Sequence, residues 1–131
     1  MIQDIKPGLA GEADETVTAA RTASYWGSGL VDAYGTPAMI ALMENAAVAA
    51  LQKWLPPGQS SVGTEVCVKH MAATPVGMRV RARATVAAVD GRKISFQVEA
   101  YDERERIGEG THTRFIIDQP RFNERLQQKI S

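Results

Sequence analysis

The second half of the chain contains short stretches in which apolar and polar residues alternate. From Met78 to Val89, apolar residues on one face alternate with arginines and a threonine on the other, a period of two that is typical of a half-buried β-strand. Asp90-Gly91, a dipeptide typical of hairpin turns, precedes a second alternating stretch from Ile94 to Ala100. These patterns predict antiparallel strands with one face in the core and one in water.

Three further stretches complete a predicted sheet of about five strands. They run from Glu15 to Arg21, from Val62 to Met71 and from Arg106 to Asp118. Ser24 to Leu30 is rich in glycine and aromatic residues without a clear period, which indicates a loop or a short irregular helix. Arg121 to Lys129 is expected to form a short terminal helix.

One long helix is predicted between the first two of these three strands. Thr36-Pro37 favours a helix start, because threonine is a good N-cap and proline suits the first turn. From Ala38 to Leu55 only four residues are polar, so the helix should be buried, and Pro56-Pro57-Gly58 should end it. The mid-helix Glu44-Asn45 argues against a membrane span. A buried helix against antiparallel strands predicts an α+β architecture.

Length and composition restrict the function classes. The 131 residues fit one domain, spanning 1–131, that can bury a core without disulfides or a structural metal. Fifteen basic and 15 acidic residues balance, which gives no reason to expect nucleic acid or a membrane as partner. No signal-like segment begins the chain, so we expect a cytoplasmic protein. Cys67 has no second cysteine to pair with and is expected to be inert and buried.

Glu44 and the two histidines are the first candidates for chemistry. A carboxylate in a buried helix needs a partner, a raised pKa or access to a cavity, so Glu44 is either functional or a surface residue where the buried stripe breaks. His70 lies in a predicted apolar strand, where a histidine is more often structural than catalytic, and His112 has a similar or weaker claim. Two histidines so far apart form no metal motif, and we expect no metal.

The start of the long helix is a second candidate site. Its free N–H groups and positive partial charge suit a developing oxyanion, although Thr36 itself has a plain explanation as the N-cap. Thr36 and Glu44 lie about 12 Å apart on a regular helix, so they cannot form a simple dyad within one chain. Either the helix starts later or one site combines two subunits.

Outward-facing arginines form a solvated face or, alternatively, contact a nucleotide's phosphates: Arg79, Arg81 and Arg83.

Four motifs spaced along the chain form a recognisable set. They are Thr36–Glu44, the Val-Gly-Thr run at 62–64, Val68–Gly77 and Gly108–Arg114. Together, over about Val17 to Leu126, they resemble the fluoroacetyl-CoA thioesterase family. The resemblance implies the hotdog fold, an antiparallel sheet of about five strands wrapped around one long central helix, with two chains paired edge to edge in a homodimer.

The resemblance also implies a set of site residues. Thr36, Glu44 and His70 would be catalytic, the backbone of Gly63 would contact the thioester region, and Arg114 would lie near the site. Hotdog active sites lie at the subunit interface, so Thr36 and Glu44 could serve one substrate from different chains.

The implied activity is hydrolysis of a small acyl-CoA or aryl-CoA thioester to free acid and CoA, without a cofactor. The alternative is a non-catalytic module that binds or senses acyl thioesters, while a hotdog dehydratase would need a histidine-centred helix motif that we do not find. The segment before the helix is shorter than the phenylalanine-bearing lid of fluoroacetyl-CoA enzymes. We expect this segment, which contains Tyr25, Trp26 and Tyr34, to form an apolar pocket that is open to several small acyl groups.

Overall fold

The computed structural model describes residues 2–131 and contains one five-stranded sheet and three α-helices. The strands are β1 (Ala10–Thr16), β2 (Gln59–His70), β3 (Arg79–Asp90), β4 (Lys93–Tyr101) and β5 (Arg106–Asp118). The helices are α1 (Ala23–Trp26), α2 (Thr36–Leu51) and α3 (Gln119–Ile130). Short 3-10 turns cover Ile2–Asp4, Ala19–Arg21 and Gln52–Trp54.

The sheet is antiparallel throughout and has the strand order β1-β3-β4-β5-β2. Its inner face carries the buried residues of β3 and β4, which pack with the buried side of α2. A sheet wrapped around one long helix is the hotdog arrangement, so the predicted fold class is confirmed. The order leaves β2 at an edge, hydrogen-bonded to β5 on one side only.

The central helix sits unusually close to β1 because its contact residues are small. Ala46, Ala47 and Ala50 are almost fully buried, and a Cβ at Gly11 would collide with the backbone of α2 at Ala46 and Ala50. Alanine against glycine therefore lets a helix and a strand approach backbone to backbone.

The prediction of a helix that is buried on all sides and continues to Leu55 is wrong in part. Ala41, Asn45 and Ala49 form a narrow exposed strip, and α2 ends at Leu51. The next residues tighten into a 3-10 turn before the prolines, a common way to end a helix.

The first strand was predicted too late in the sequence. Of the predicted Glu15–Arg21 only Glu15 and Thr16 belong to it; β1 is Ala10–Thr16, and residues after Val17 turn away from the sheet. Pairing with β3 fixes this position, because Glu12 binds Arg83 and Asp14 binds Arg79 across the two strands. Cross-strand charge pairs of this kind stabilise a register that the weak apolar pattern of β1 does not reveal.

The other elements agree better with the sequence patterns. The predicted β5 has its predicted bounds, while β3, β4 and the terminal helix agree within one or two residues and β2 begins three residues early. Gly91 has a φ of 62° in the turn between β3 and β4, as its hairpin motif requires. Within residues 2–131, no helix is both long and apolar enough to cross a bilayer.

The prediction that Cys67 is buried is wrong. The thiol is exposed rather than buried, because β2 is an edge strand and Cys67 lies on its outward side. The neighbouring valines 66 and 68 are half-buried, so the apolar flanks that suggested burial belong to the opposite side of the strand.

Candidate active site

The start of α2 meets the end of β2 through two side chains. Gly35, not Thr36, is the N-cap of α2, with φ −80° and ψ 146°, and no side chain caps the helix. The prediction of Thr36 as N-cap is therefore wrong: Thr36 is the first helical residue. Its hydroxyl oxygen lies 2.8 Å from Nδ1 of His70, which makes it available for chemistry instead of capping.

The surroundings of the His70 ring favour its uncharged form. Burial lowers the pKa of His70, although the backbone of Ala72 acts in the opposite direction. Nε2 is buried and has no hydrogen-bond partner within residues 2–131. With the proton on Nε2, Nδ1 accepts a hydrogen bond from the Thr36 hydroxyl, which is the arrangement of a base beside a nucleophile or beside a proton donor.

A small pocket of about 250 Å³ opens beside this pair. Its walls include Ala23, Val31, Tyr34 and Ala72. Tyr34 is 2% exposed, and its hydroxyl donates to Glu15 at 2.5 Å, so its ring is fixed as one wall.

Of the three aromatic residues expected in a shared apolar pocket, only Tyr34 lines this one. Tyr25 lines a separate groove, and Trp26 lines neither. Both are exposed, at 65% and 49%. Tyr25 and Trp26 lie in α1, whose four residues give them no buried side to face.

A second cluster forms around Arg114, which lies on β5 and is 5% exposed. Its guanidinium donates from Nε to Ser61 Oγ at 2.8 Å and from Nη2 to the Ser61 carbonyl at 2.9 Å. Nη1 donates to Glu44 Oε2 at 3.3 Å. The Glu44 side chain is 37% exposed. Glu44 is thus a carboxylate with an anchored partner on one side and open space on the other.

His112 completes the support of Arg114. Its Nδ1 lies 2.8 Å from the Glu65 carbonyl and therefore carries the proton, so Nε2 accepts from Arg114 Nη1 at 3.2 Å. Burial is the main cause that lowers the pKa of His112, and the charge of Arg114 also lowers it. Glu65 and Glu44 act in the opposite direction. Sequence reasoning gave His112 a weak claim. Its spacing of two from Arg114 on one strand face was the available signal.

Gly63 lies where a side chain would displace the carboxylate. A Cβ at Gly63 would be 2.5 Å from Glu44 Oε2 and 3.3 Å from Arg114 Nη1. The pairing of β2 with β5 also shifts between Gly63 and Glu65, a bulge that interrupts the ladder. The backbone of Gly63 is therefore approachable beside Glu44.

The five residues expected in one site thus form two clusters in a single chain. Thr36 contacts His70 at one end of β2, and Glu44 and Arg114 surround Gly63 toward the other. His70 lies seven positions after Gly63 on the strand, a distance of about 20 Å. Within one chain, the structure does not bring the five together.

The sequence and the fold both match known proteins. The family model described as fluoroacetyl-CoA-specific thioesterase matches residues 17–120. The fluoroacetyl-CoA thioesterase of Streptantibioticus cattleyicolor is 43% identical over 98 residues, which cover 75% of this chain and 70% of that protein. A mutant fluoroacetyl-CoA thioesterase in complex with acetyl-CoA has a TM-score of 0.91 at 34% identity, with 97% and 100% of the two chains covered. A thioesterase superfamily member from Thermus thermophilus has a TM-score of 0.87 at 28% identity, with 95% of each covered.

These matches decide between the alternatives left open by the sequence. The similar proteins are thioesterases, and their similarity extends over most of both chains. A non-catalytic binding module is therefore not favoured. The chain belongs to the fluoroacetyl-CoA-specific thioesterase family and is a thioester hydrolase with the hotdog fold.

Proposed function

We propose that this protein hydrolyses small acyl-CoA or aryl-CoA thioesters to free acid and CoA, as a homodimer and without a cofactor. The observation that carries the proposal is the contact of 2.8 Å between the Thr36 hydroxyl and His70 Nδ1. A hydroxyl beside a neutral imidazole can lose its proton to the ring or orient a water molecule, and hydrolysis of a thioester needs one or the other.

The dimer forms, in this proposal, through the free edge of β2. An edge strand exposes unpaired N–H and C=O groups, and a second copy of the same strand can satisfy them around a two-fold axis. In an antiparallel pair centred between Val66 and Cys67, Gly63 of one chain lies opposite His70 of the other. Two complete sites would result, each with Thr36 and His70 from one chain and Glu44 from its partner.

The two clusters divide the reaction between them. Either Thr36 or a water molecule supplies the oxygen that attacks the acyl carbon, and His70 accepts its proton. The backbone N–H groups at Gly63 or at the start of α2 stabilise the oxyanion. The carbon–sulfur bond then breaks, and the CoA thiolate leaves and takes the proton that His70 accepted. In the Thr36 route a water molecule then hydrolyses the acyl-enzyme to the free acid.

Glu44 has the position of an acid–base group. Arg114 holds one of its oxygens, while the partial exposure of the side chain leaves it accessible to water or substrate. In the water route Glu44 orients the attacking water; in the Thr36 route it assists hydrolysis of the acyl-enzyme.

The size of the acyl group follows from the pocket beside Thr36. A volume of about 250 Å³ suits a short chain or a small ring. Its mostly apolar walls discriminate weakly, since one methylene is worth about 1–3 kcal/mol in such a pocket. This supports breadth among small acyl groups rather than strict selectivity for fluoroacetyl.

A panel of acyl-CoAs, followed by release of free thiol, tests the proposal. We expect turnover of several short acyl or aryl substrates, with little preference for fluoroacetyl over acetyl. Absence of thiol release across the panel would contradict the hydrolase, and a strict fluoroacetyl preference would contradict the pocket. Light scattering at micromolar concentration should give the mass of two chains or a multiple of it; a monomer would contradict the shared site.

A further inference from the structure

Tyr34 lies between the two segments that bring Thr36 and His70 together. It stands two positions before Thr36, at the start of α2. Its backbone N–H donates to the carbonyl of Thr74 at 2.8 Å, and Thr74 belongs to the segment that follows His70 and the end of β2. Tyr34 therefore joins the start of the helix to the chain just beyond the strand.

The ring of Tyr34 contacts the ring of His70. The two ring centroids are 6.5 Å apart and the ring planes meet at 84°, the edge-to-face arrangement that aromatic pairs favour. Tyr34 is almost fully buried, so its ring has few alternative positions. Because a ring packed against the imidazole limits its rotation, the position of Tyr34 affects whether Nδ1 of His70 faces the Thr36 hydroxyl.

A carboxylate on β1 anchors the hydroxyl of Tyr34. The hydroxyl donates to Glu15 Oε2 at 2.5 Å, and Glu15 Oε1 accepts from Nε of Arg21 at 3.0 Å. The carbonyl of Arg21 in turn accepts from the N–H of Gly35 at 2.7 Å. These contacts form a closed circuit of hydrogen bonds that returns to the chain at Gly35, the residue directly before Thr36.

The hydroxyl of Tyr34 does not have the properties of a catalytic acid or base. Burial, as the main cause, and the hydrogen bond to Glu15 raise the pKa of Tyr34 well above its usual value. The hydroxyl therefore keeps its proton and remains the donor to Glu15. What Tyr34 contributes is the position of its ring, which lies beside His70 and forms a wall of the pocket next to Thr36.

We propose that Tyr34, anchored by Glu15, is a positioning residue that keeps His70 aligned with the Thr36 hydroxyl, an inference that rests on the proposed thioester hydrolysis. The carboxylate holds the ring, and the ring holds the imidazole. Without the anchor, both rings turn more freely and fewer molecules have the reacting pair aligned at a given moment, while the pocket keeps its aromatic wall. The effect therefore belongs to kcat rather than to KM.

The kinetic test removes the hydroxyl and keeps the ring. In Tyr34→Phe, kcat on the best acyl-CoA of the panel should fall about tenfold, with KM changed less than about twofold. Glu15→Ala removes the acceptor and should have the same effect. The double variant should be no slower than either one, because both changes act through one hydrogen bond. Glu15→Gln keeps an oxygen that accepts from Tyr34, so kcat should stay within about threefold of the wild type.

Tyr101→Phe is the matched control. The Tyr101 hydroxyl accepts from Arg106 Nη2 at 2.9 Å, and its ring lies beside Arg81 in a different groove. Its loss should leave kcat and KM at their wild-type values. An unchanged kcat in Tyr34→Phe, an equal fall in the control, or a Glu15→Gln protein as slow as Glu15→Ala would each overturn the proposal.

A measurement without substrate separates failure of this inference from failure of the proposed function. The chain has two histidines, and their contacts place the proton on Nε2 of His70 and on Nδ1 of His112. Nitrogen NMR of the neutral rings should therefore show two different tautomers. In Tyr34→Phe, His70 should change to a mixture of tautomers, while His112 should not change.

A His70 tautomer identical to that of the wild type would overturn the positioning role even if kcat fell. If Tyr34→Phe did not fold, Glu15→Ala would carry the same comparison, because it removes the other partner of the same hydrogen bond. If the wild-type protein hydrolysed no acyl-CoA, the proposed function would fail, and the NMR comparison alone would decide whether Tyr34 positions His70.

Discussion

Replacing the carboxylate of Glu44 by an amide separates catalysis from folding. Glu44→Gln keeps the shape of the side chain and an oxygen that can accept from Arg114, but it removes the charge. If Glu44 is an acid–base group, kcat on the best acyl-CoA should fall by about 10²-fold or more, equivalent to about 2.7 kcal/mol of transition-state stabilisation. The same substitution should have a much smaller effect on folding.

The structure gives the reason for the small folding effect. Arg114 retains three other contacts, with Ser61 Oγ, the Ser61 carbonyl and His112 Nε2. The Glu44 side chain is 37% exposed, so water screens its ion pair, and we expect a loss of about 1 kcal/mol. For a chain of this size that lowers Tm by about 4 °C.

The assay is thiol release at saturating substrate, with circular dichroism and thermal unfolding on the same samples. Glu12→Gln is the matched control, because Glu12 also pairs with an arginine, Arg83, at 2.9 Å, but on β1 at the opposite edge of the sheet. Its kcat should equal that of the wild type. A folded Glu44→Gln protein with wild-type kcat would refute the role of Glu44.

Three further predictions concern neighbouring groups. Gly63→Ala should lower kcat at least about tenfold and also lower stability, because the new Cβ would lie 2.5 Å from Glu44 Oε2 and 3.1 Å from Cε1 of the buried His112; unchanged kinetics would show that this carboxylate position is immaterial. Thr36→Ser should retain most activity and Thr36→Ala should lose about 10²-fold. Equal rates for the two variants would contradict a catalytic role for the Thr36 hydroxyl. Burial lowers the pKa of His70 and His112, so the unfolded chain binds more protons below its histidine pKa of about 6.5. The urea concentration at the unfolding midpoint should therefore be lower at pH 5.5 than at pH 7.5, and a midpoint that rose on acidification would contradict this prediction. The value of kcat/KM should rise with pH through an apparent pKa below 6.5.

The sheet was largely readable from the sequence because its period is local. β3 and β4 alternate between apolar and polar residues, and each residue's face follows from its neighbours. β1 does not alternate in this way: alanine, glycine and acidic residues fill it. Its position depends on Arg79 and Arg83, more than 60 residues later, and on the close approach of Gly11 to α2. No local pattern contains that information.

The candidate site was readable only as isolated residues. The sequence marks Glu44 as an unusual carboxylate, but its partner Arg114 is 70 residues away, and only a family resemblance connects the two. His112 contacts Arg114 within β5, but its ring is oriented by the Glu65 carbonyl of β2, and that contact depends on the register of β5 with β2. The division of the site into two clusters follows from the length of β2 and is seen only once Gly63 and His70 have positions.

Mixing two inactive variants tests the central claim, that each active site combines two chains. His70→Ala and Glu44→Gln dimers, dissociated and reassociated together, should form mixed dimers in which one site has both His70 and Glu44 intact. Random association of equal amounts predicts recovery of about a quarter of wild-type activity, measured as thiol release from the best acyl-CoA. If each site belonged to a single chain, every site in every mixture would lack one group, and activity would stay at the level of the separate variants.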